Sequence, residues 1–259
     1  MAGIPFELEA IVGPFIDDLR STLGPELVGV YLYGSAITGG FDPALSDLDV
    51  LVLVESDARL LDLSRIGTLH DRLASRHPDW ADRLDIAYIG RTTLATFRKG
   101  GAVASISHED ALQLYDDAGG WLQTWYLVRY ADRPLVGPPV GDVIPPIERS
   151  EFVEAVARDA ERIVRRVDTD QRSGLVAYTL LTLCRVLRAL DDGAITSKQN
   201  SASWVADRMP EARWVIDEAL AVRASGGRRA FEPAAREPAL ALIKQLGADI
   251  RRALTEPHA

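Results

Sequence analysis

A single cysteine, Cys184, stands in a chain of 259 residues, so no internal disulfide can form. Its setting, Leu183-Cys184-Arg185-Val186, reads as a small core position rather than a nucleophile. Histidine is as scarce: His70, His77, His108 and His258 are scattered without metal-ligand spacing and receive no role. No run approaches the roughly 18 consecutive apolar residues of a membrane span. The first residues, Met1-Ala2-Gly3-Ile4-Pro5-Phe6, carry neither a basic nor an apolar leader region. The expectation is a protein with no membrane partner and no secretory signal, in the cytoplasm. An excess of positive charge is missing too. The formal net charge is -9, and residues 1–147 hold 21 acidic against 11 basic residues, while 148–259 hold 17 against 18. An acidic first half disfavours nucleic acid as a partner and is compatible with a cationic small molecule, or with nothing more than solubility.

What is present is a chain long enough for one large or two modest domains. Apolar positions over residues 5–23 recur with helical period, and Gly24-Pro25 closes that segment. Leu27 to Tyr33 reads as a strand, Leu48 to Val54 as a strand covered on both faces, residues 58–77 as a helix and Leu84 to Ile89 as a third strand. Residues 101–120 give no clear pattern. An aromatic-rich helix follows, with Trp121, Trp125, Tyr126 and Tyr130. Pro134 to Pro146 contains five prolines and reads as an interdomain connection. Beyond it every segment is helical: 150–167, 173–190, 199–208, 211–223 and 234–254. The expected division is 1–147 and 148–259.

The informative stretch is Leu32-Tyr33-Gly34-Ser35, then Asp47-Leu48-Asp49. Side chains two apart on a strand share a face, so Asp47 and Asp49 point one way while Leu48 enters the core. Two carboxylates that close repel unless a cation lies between them, and Mg²⁺ takes hard oxygen ligands. A turn or capping role is the plain alternative for Asp-x-Asp. Gly34 permits close backbone approach, and Ser35 offers N–H and O–H donors to a triphosphate. Asp85 interrupts an apolar strand. A buried unpaired charge there is costly, so it calls for a metal, a proton to accept, or an ion pair with Arg83. Asp110, Asp116 and Asp117 read as an exposed loop or as the lining of a cationic-substrate pocket.

These motifs resemble the DNA polymerase β nucleotidyltransferase superfamily. The whole chain resembles more closely the aminoglycoside 3''-(9)-adenylyltransferases, which modify streptomycin and spectinomycin. The marks are Leu32-Tyr33-Gly34-Ser35-Ala36, Ser46-Asp47-Leu48-Asp49-Val50-Leu51-Val52, Leu135-Val136-Gly137-Pro138, Leu181-Thr182-Leu183-Cys184-Arg185-Val186, and Ser197-Lys198 ahead of Trp204-Val205-Ala206-Asp207-Arg208-Met209-Pro210. The resemblance implies an α/β nucleotidyltransferase domain, a mixed sheet with flanking helices, followed by an all-α helical domain. It implies ATP as co-substrate, Mg²⁺, two ions in number, an aminoglycoside acceptor, and resistance as the outcome; a monomer is the expected state. Asp47, Asp49 and Asp85 would hold metal, with Asp85 also the general base. Gly34, Ser35 and Ser46 would lie on the triphosphate side, and Arg185 and Lys198 would reach the ATP phosphates. Three departures stand out. The family's third carboxylate is Glu where this chain has Asp85. Its acidic streptomycin contact has no carboxylate counterpart in Gln171-Arg172-Ser173-Gly174-Leu175. Its streptomycin-binding Trp has no match in 101–120. A protein or other metabolite acceptor, or a nucleotide-binding module without catalysis, are the alternatives.

Overall fold

The computed structural model describes residues 4–107 and 110–255. His108 and His258, to which the sequence assigned no role, lie outside that range. The chain divides into two compact units, Met1–Ile147 and Glu148–Ala259.

The first unit opens with α1 (Phe6–Leu23), β1 (Leu27–Leu32), a one-turn α2 (Ser35–Thr38) and β2 (Leu48–Val54). It continues through α3 (Leu63–Arg76), β3 (Leu84–Gly90), α4 (Arg91–Ala95), β4 (Val103–Ile106), β5 (Gln113–Tyr115), α5 (Leu122–Ala131) and β6 (Pro134–Val136). Six strands form one sheet in the order β5-β4-β3-β2-β1-β6. Only β2 and β3 run parallel; the other neighbours are antiparallel. The helical stripe of α1 (Leu8, Ile11, Val12, Phe15, Ile16, Leu19) and that of α3 (Ile66, Leu69, Leu73) join Val30, Leu32, Leu48, Val50, Val52, Val54, Leu84, Ile86 and Tyr88 in one core. That uses one face of the strands. On β2 and β3 the alternate set, Asp49, Leu51, Leu53, Asp85, Ala87 and Ile89, faces the other way, as period-2 alternation requires. Within that second set the four apolar side chains are buried.

Two expectations are revised. The helix placed at 58–77 begins at Leu63, because Asp57 and Asp62 each accept a backbone N–H and split the segment into a short 3-10 turn and the helix proper. The proline-rich stretch is not a free connection. Pro134–Val136 pairs with β1 as an edge strand, a place where a missing N–H is tolerated. Val140 and Ile144 are buried, and the Pro138 carbonyl accepts a hydrogen bond from Tyr31.

The second unit consists of α6 (Arg149–Thr169), α7 (Ser173–Asp192), α8 (Lys198–Arg208), α9 (Arg213–Ala224) and α10 (Pro233–Thr255). By length and composition α7 could cross a membrane. It packs instead against α6, α8, α9 and α10, and a helix surrounded by neighbours is apolar on most of its circumference. Cys184 is buried within it, as its apolar flanks indicated.

Candidate active site

Residues 47–49 lie where β2 begins, and 85 lies where β3 begins. The parallel register pairs Asp49 directly with Asp85, so both carboxylates leave the sheet on one face and at one end. Asp47, two residues before Asp49, belongs to the same face by alternation. These charges are felt at Asp85 and at Tyr33. Burial pushes the Asp85 carboxyl up to about 6, and the Asp47 charge adds to the rise. Tyr33 feels all three: burial holds its hydroxyl well above the ordinary range, followed by Asp85, Asp49 and Asp47.

Gly34 has φ 68° and ψ -145°, a conformation few L-residues adopt. The reason is local. A Cβ at Gly34 would stand 2.0 Å from Oδ2 of Asp49. The turn therefore packs its backbone directly against this carboxylate. The backbone N–H of Ser35 donates to the same Oδ2 at 3.3 Å, and the N–H of Tyr33 donates to the Asp49 carbonyl at 3.2 Å. The Ser35 hydroxyl is buried with no hydrogen-bond partner, an uncommon and costly condition that a ligand can relieve. Ser46 is buried, and its Oγ accepts the Asp42 N–H at 2.9 Å. Its hydroxyl oxygen therefore serves the turn before Asp47, while the O–H retains a proton to donate.

Arg83 is not the partner of Asp85. Its guanidinium donates to the carbonyls of Ser46, at 2.9 and 2.6 Å, and of Pro43, at 2.9 Å. Asp85 is thus a half-buried carboxylate with its neighbouring arginine turned away to the loop. In the second unit Arg185 sits mid-helix on α7. Lys198 opens α8, with Ser197 as N-cap accepting the Asn200 N–H at 3.1 Å and the lysine ammonium 3.9 Å from the Tyr178 ring centroid.

Among the described residues, no group of three or more His, Cys, Asp or Glu side chains is arranged to hold a metal ion by itself. Asp49 is turned toward Ser35 and Gly34. The donor set still fits a hard divalent cation shared with a polyphosphate, since Mg²⁺ is commonly held by one or two carboxylates plus substrate oxygens.

The loop acids do local work. Asp116 pairs with Arg59, Asp117 accepts the Gly120 N–H at 3.0 Å, and Asp110 accepts from Tyr115 at 3.3 Å. All three are exposed, which matches the loop reading. The sequence missed Tyr33, Arg83 and the aromatic row in which Trp121 meets Tyr115 and Trp125, each at 6.0 Å between centroids. The 171–175 stretch does have a carboxylate beside it: Asp170, which the Arg172 side chain holds down at about 2 through direct hydrogen bonds.

Residues 15–102 match the nucleotidyltransferase domain family, and residues 142–245 match the aminoglycoside adenylyltransferase C-terminal domain family. An aminoglycoside (3'') (9) adenylyltransferase of Klebsiella pneumoniae is 25% identical over 222 residues, 81% of each chain. A spectinomycin 9-adenylyltransferase of Staphylococcus aureus is 22% identical over 214 residues, 74% of this chain and 76% of that one. The crystal structure of spectinomycin adenyltransferase AAD(9) from Enterococcus faecalis, with ATP and spectinomycin, has the same fold: TM-score 0.71 at 20% identity, covering 94% of this chain and 99% of that one.

Proposed function

Because the chain belongs to the aminoglycoside 3''-(9)-adenylyltransferase family and is a nucleotidyltransferase, we propose that it transfers AMP from ATP to a hydroxyl of an aminoglycoside-type acceptor, spectinomycin foremost, and releases pyrophosphate. The observation that carries the reading is the pairing of Asp49 with Asp85 at the start of two parallel strands, beside the Gly34-Ser35 turn.

Asp85 takes the proton. Its carboxyl is raised to about 6, which makes it a stronger base than an ordinary carboxylate while leaving it mostly ionised near neutrality. The acceptor oxygen attacks the α-phosphorus, its proton passes to Asp85, and the bond to the pyrophosphate oxygen breaks. Asp47, Asp49 and Asp85 are the residues that would hold Mg²⁺. When bound, that ion supplies neutralisation of the triphosphate charge. The Ser35 hydroxyl and the Ser46 O–H can donate to phosphate oxygens, and Arg185 and Lys198 would offset the same charge.

An acceptor screen with α-labelled ATP tests this. Label appearing on spectinomycin, and vanishing with Asp49→Asn, is the expected result. Label on a protein band with none on spectinomycin or streptomycin would transfer the assignment to a protein acceptor, which the departure at 171–175 makes the second reading. ATP binding with no pyrophosphate release for any acceptor would leave only a binding module.

A further inference from the structure

Asp47 lies just outside β2, in the loop that returns from α2, and a carboxylate on a loop is placed only as well as the loop is held. Four hydrogen bonds from a single residue, Arg83, hold the chain on either side of Asp47. The Arg83 guanidinium donates twice to the Ser46 carbonyl and once to that of Pro43. The Arg83 carbonyl accepts the N–H of Leu48 at 2.8 Å. Asp47 is therefore bracketed, its preceding carbonyl and its following N–H both tied to Arg83. The arginine is itself fixed. Its guanidinium lies 4.1 Å from the centroid of the Trp80 ring, and Trp80 stacks on Phe41 with 6.4 Å between centroids and an 11° tilt. Phe41 belongs to the same loop, so the plane of Trp80 supports both the guanidinium and the chain it grips. Arg83 is also two residues before Asp85. One side chain thus links the two strand starts that carry the carboxylates.

We propose that Arg83 is a positioning residue for the metal-triphosphate site: it sets where Asp47 stands relative to Asp49 and Asp85, without touching substrate. This rests on the functional reading given above. A guanidinium suits the task because its rigid fork reaches two carbonyls at once, while an ammonium is a point donor that cannot reproduce the planar bridge.

The test measures Mn²⁺ binding in the presence of α,β-methylene-ATP, which cannot transfer AMP, alongside the thermal midpoint of the ligand-free protein. The variants are Arg83→Gln and Arg83→Lys. Loss of an outer partner that orients metal ligands typically weakens metal affinity about 10- to 100-fold, and Arg83→Gln is expected in that range, with Arg83→Lys between it and wild type. A lowered midpoint with unchanged Mn²⁺ affinity would mean that Arg83 only holds the fold, and would overturn the proposal. Wild type that binds the Mn²⁺ nucleotide but labels no acceptor would overturn the functional reading and leave this inference standing on the affinities. Wild type that binds no Mn²⁺ nucleotide would overturn both.

Discussion

The backbone of Gly34 and the carboxylate of Asp49 occupy one space: a methyl group at residue 34 would lie 2.0 Å from Oδ2 and 2.3 Å from Cγ of Asp49. Because φ is 68° and ψ is -145° at Gly34, Ala there also carries backbone strain of about 1–3 kcal/mol. Gly34→Ala should lower the thermal midpoint and, by displacing Asp49, abolish AMP transfer. Gly39 is the control. Its φ is 75° but nothing lies within 4 Å of an added Cβ, so Gly39→Ala should cost about 1–2 kcal/mol of strain and keep activity. Equal activity in the two variants would mean that the Asp49 contact is dispensable.

Asp85 separates charge from reach. Asp85→Asn removes the proton acceptor, and a lost general base typically costs about 10²- to 10⁴-fold in rate. Without ligand the same variant should be more stable than wild type, because it removes a buried charge facing Asp47. Asp85→Glu keeps the carboxylate and lengthens it by one methylene, so it should retain activity well above that of the Asn variant. Steady-state rates and ligand-free melting curves check both; an Asn variant as active as wild type would remove Asp85 from the mechanism.

His70 gives the acid limb of stability. It is buried 3% exposed between α1 and the sheet, with Nε2 2.7 Å from the Tyr88 hydroxyl and Nδ1 unpartnered. Burial lowers its pKa from 6.5 to about 4, against a smaller opposing pull from Asp71. The unfolded chain therefore binds a proton near 6.5 that the fold resists until about pH 4. The stabilising contribution is fully present above 6.5 and is lost as pH falls through that window, about 3 kcal/mol in all. Asp85 works in the opposite sense in the ligand-free protein, so the comparison must be between variants. His70→Gln should flatten the wild-type fall in unfolding free energy between pH 6.5 and 4, measured by urea denaturation; an unchanged slope would show that His70 is not its source.

The long periodic segments were legible because their burial is one-sided or complete: α1, β2 and the five helices of the second unit follow directly from apolar spacing. The strands β4 and β5 were not. Segments of 4 and 3 residues are too short to display a period, and they are held by pairing, β4 with β3 and β5 with β4, rather than by their own pattern. β6 was hidden by its proline, which reads as a breaker unless the strand is known to be at an edge. At the site, Asp47, Asp49 and Asp85 announced themselves as charges inside apolar runs. Arg83 did not, since an arginine beside an aspartate suggests an ion pair, and only the fold shows its guanidinium bound to carbonyls. The close contact of Gly34 with Asp49 joins residues fifteen positions apart, and no local pattern encodes it.

Ser35 carries the most discriminating test, because stability and function should move in opposite directions. Its hydroxyl is buried without a partner, and an unsatisfied buried polar group costs about 1–3 kcal/mol. Ser35→Ala removes that cost while leaving the backbone N–H to Asp49 in place. The ligand-free variant should therefore melt at or above the wild-type temperature. If the hydroxyl serves the triphosphate, the same variant should bind ATP several-fold more weakly, as expected for losing one hydrogen bond to a charged group. Melting curves and ATP titrations on the two proteins decide the matter. A variant with a lower midpoint would show that the hydroxyl has a structural partner, and one with unchanged ATP affinity would take Ser35 out of the nucleotide site.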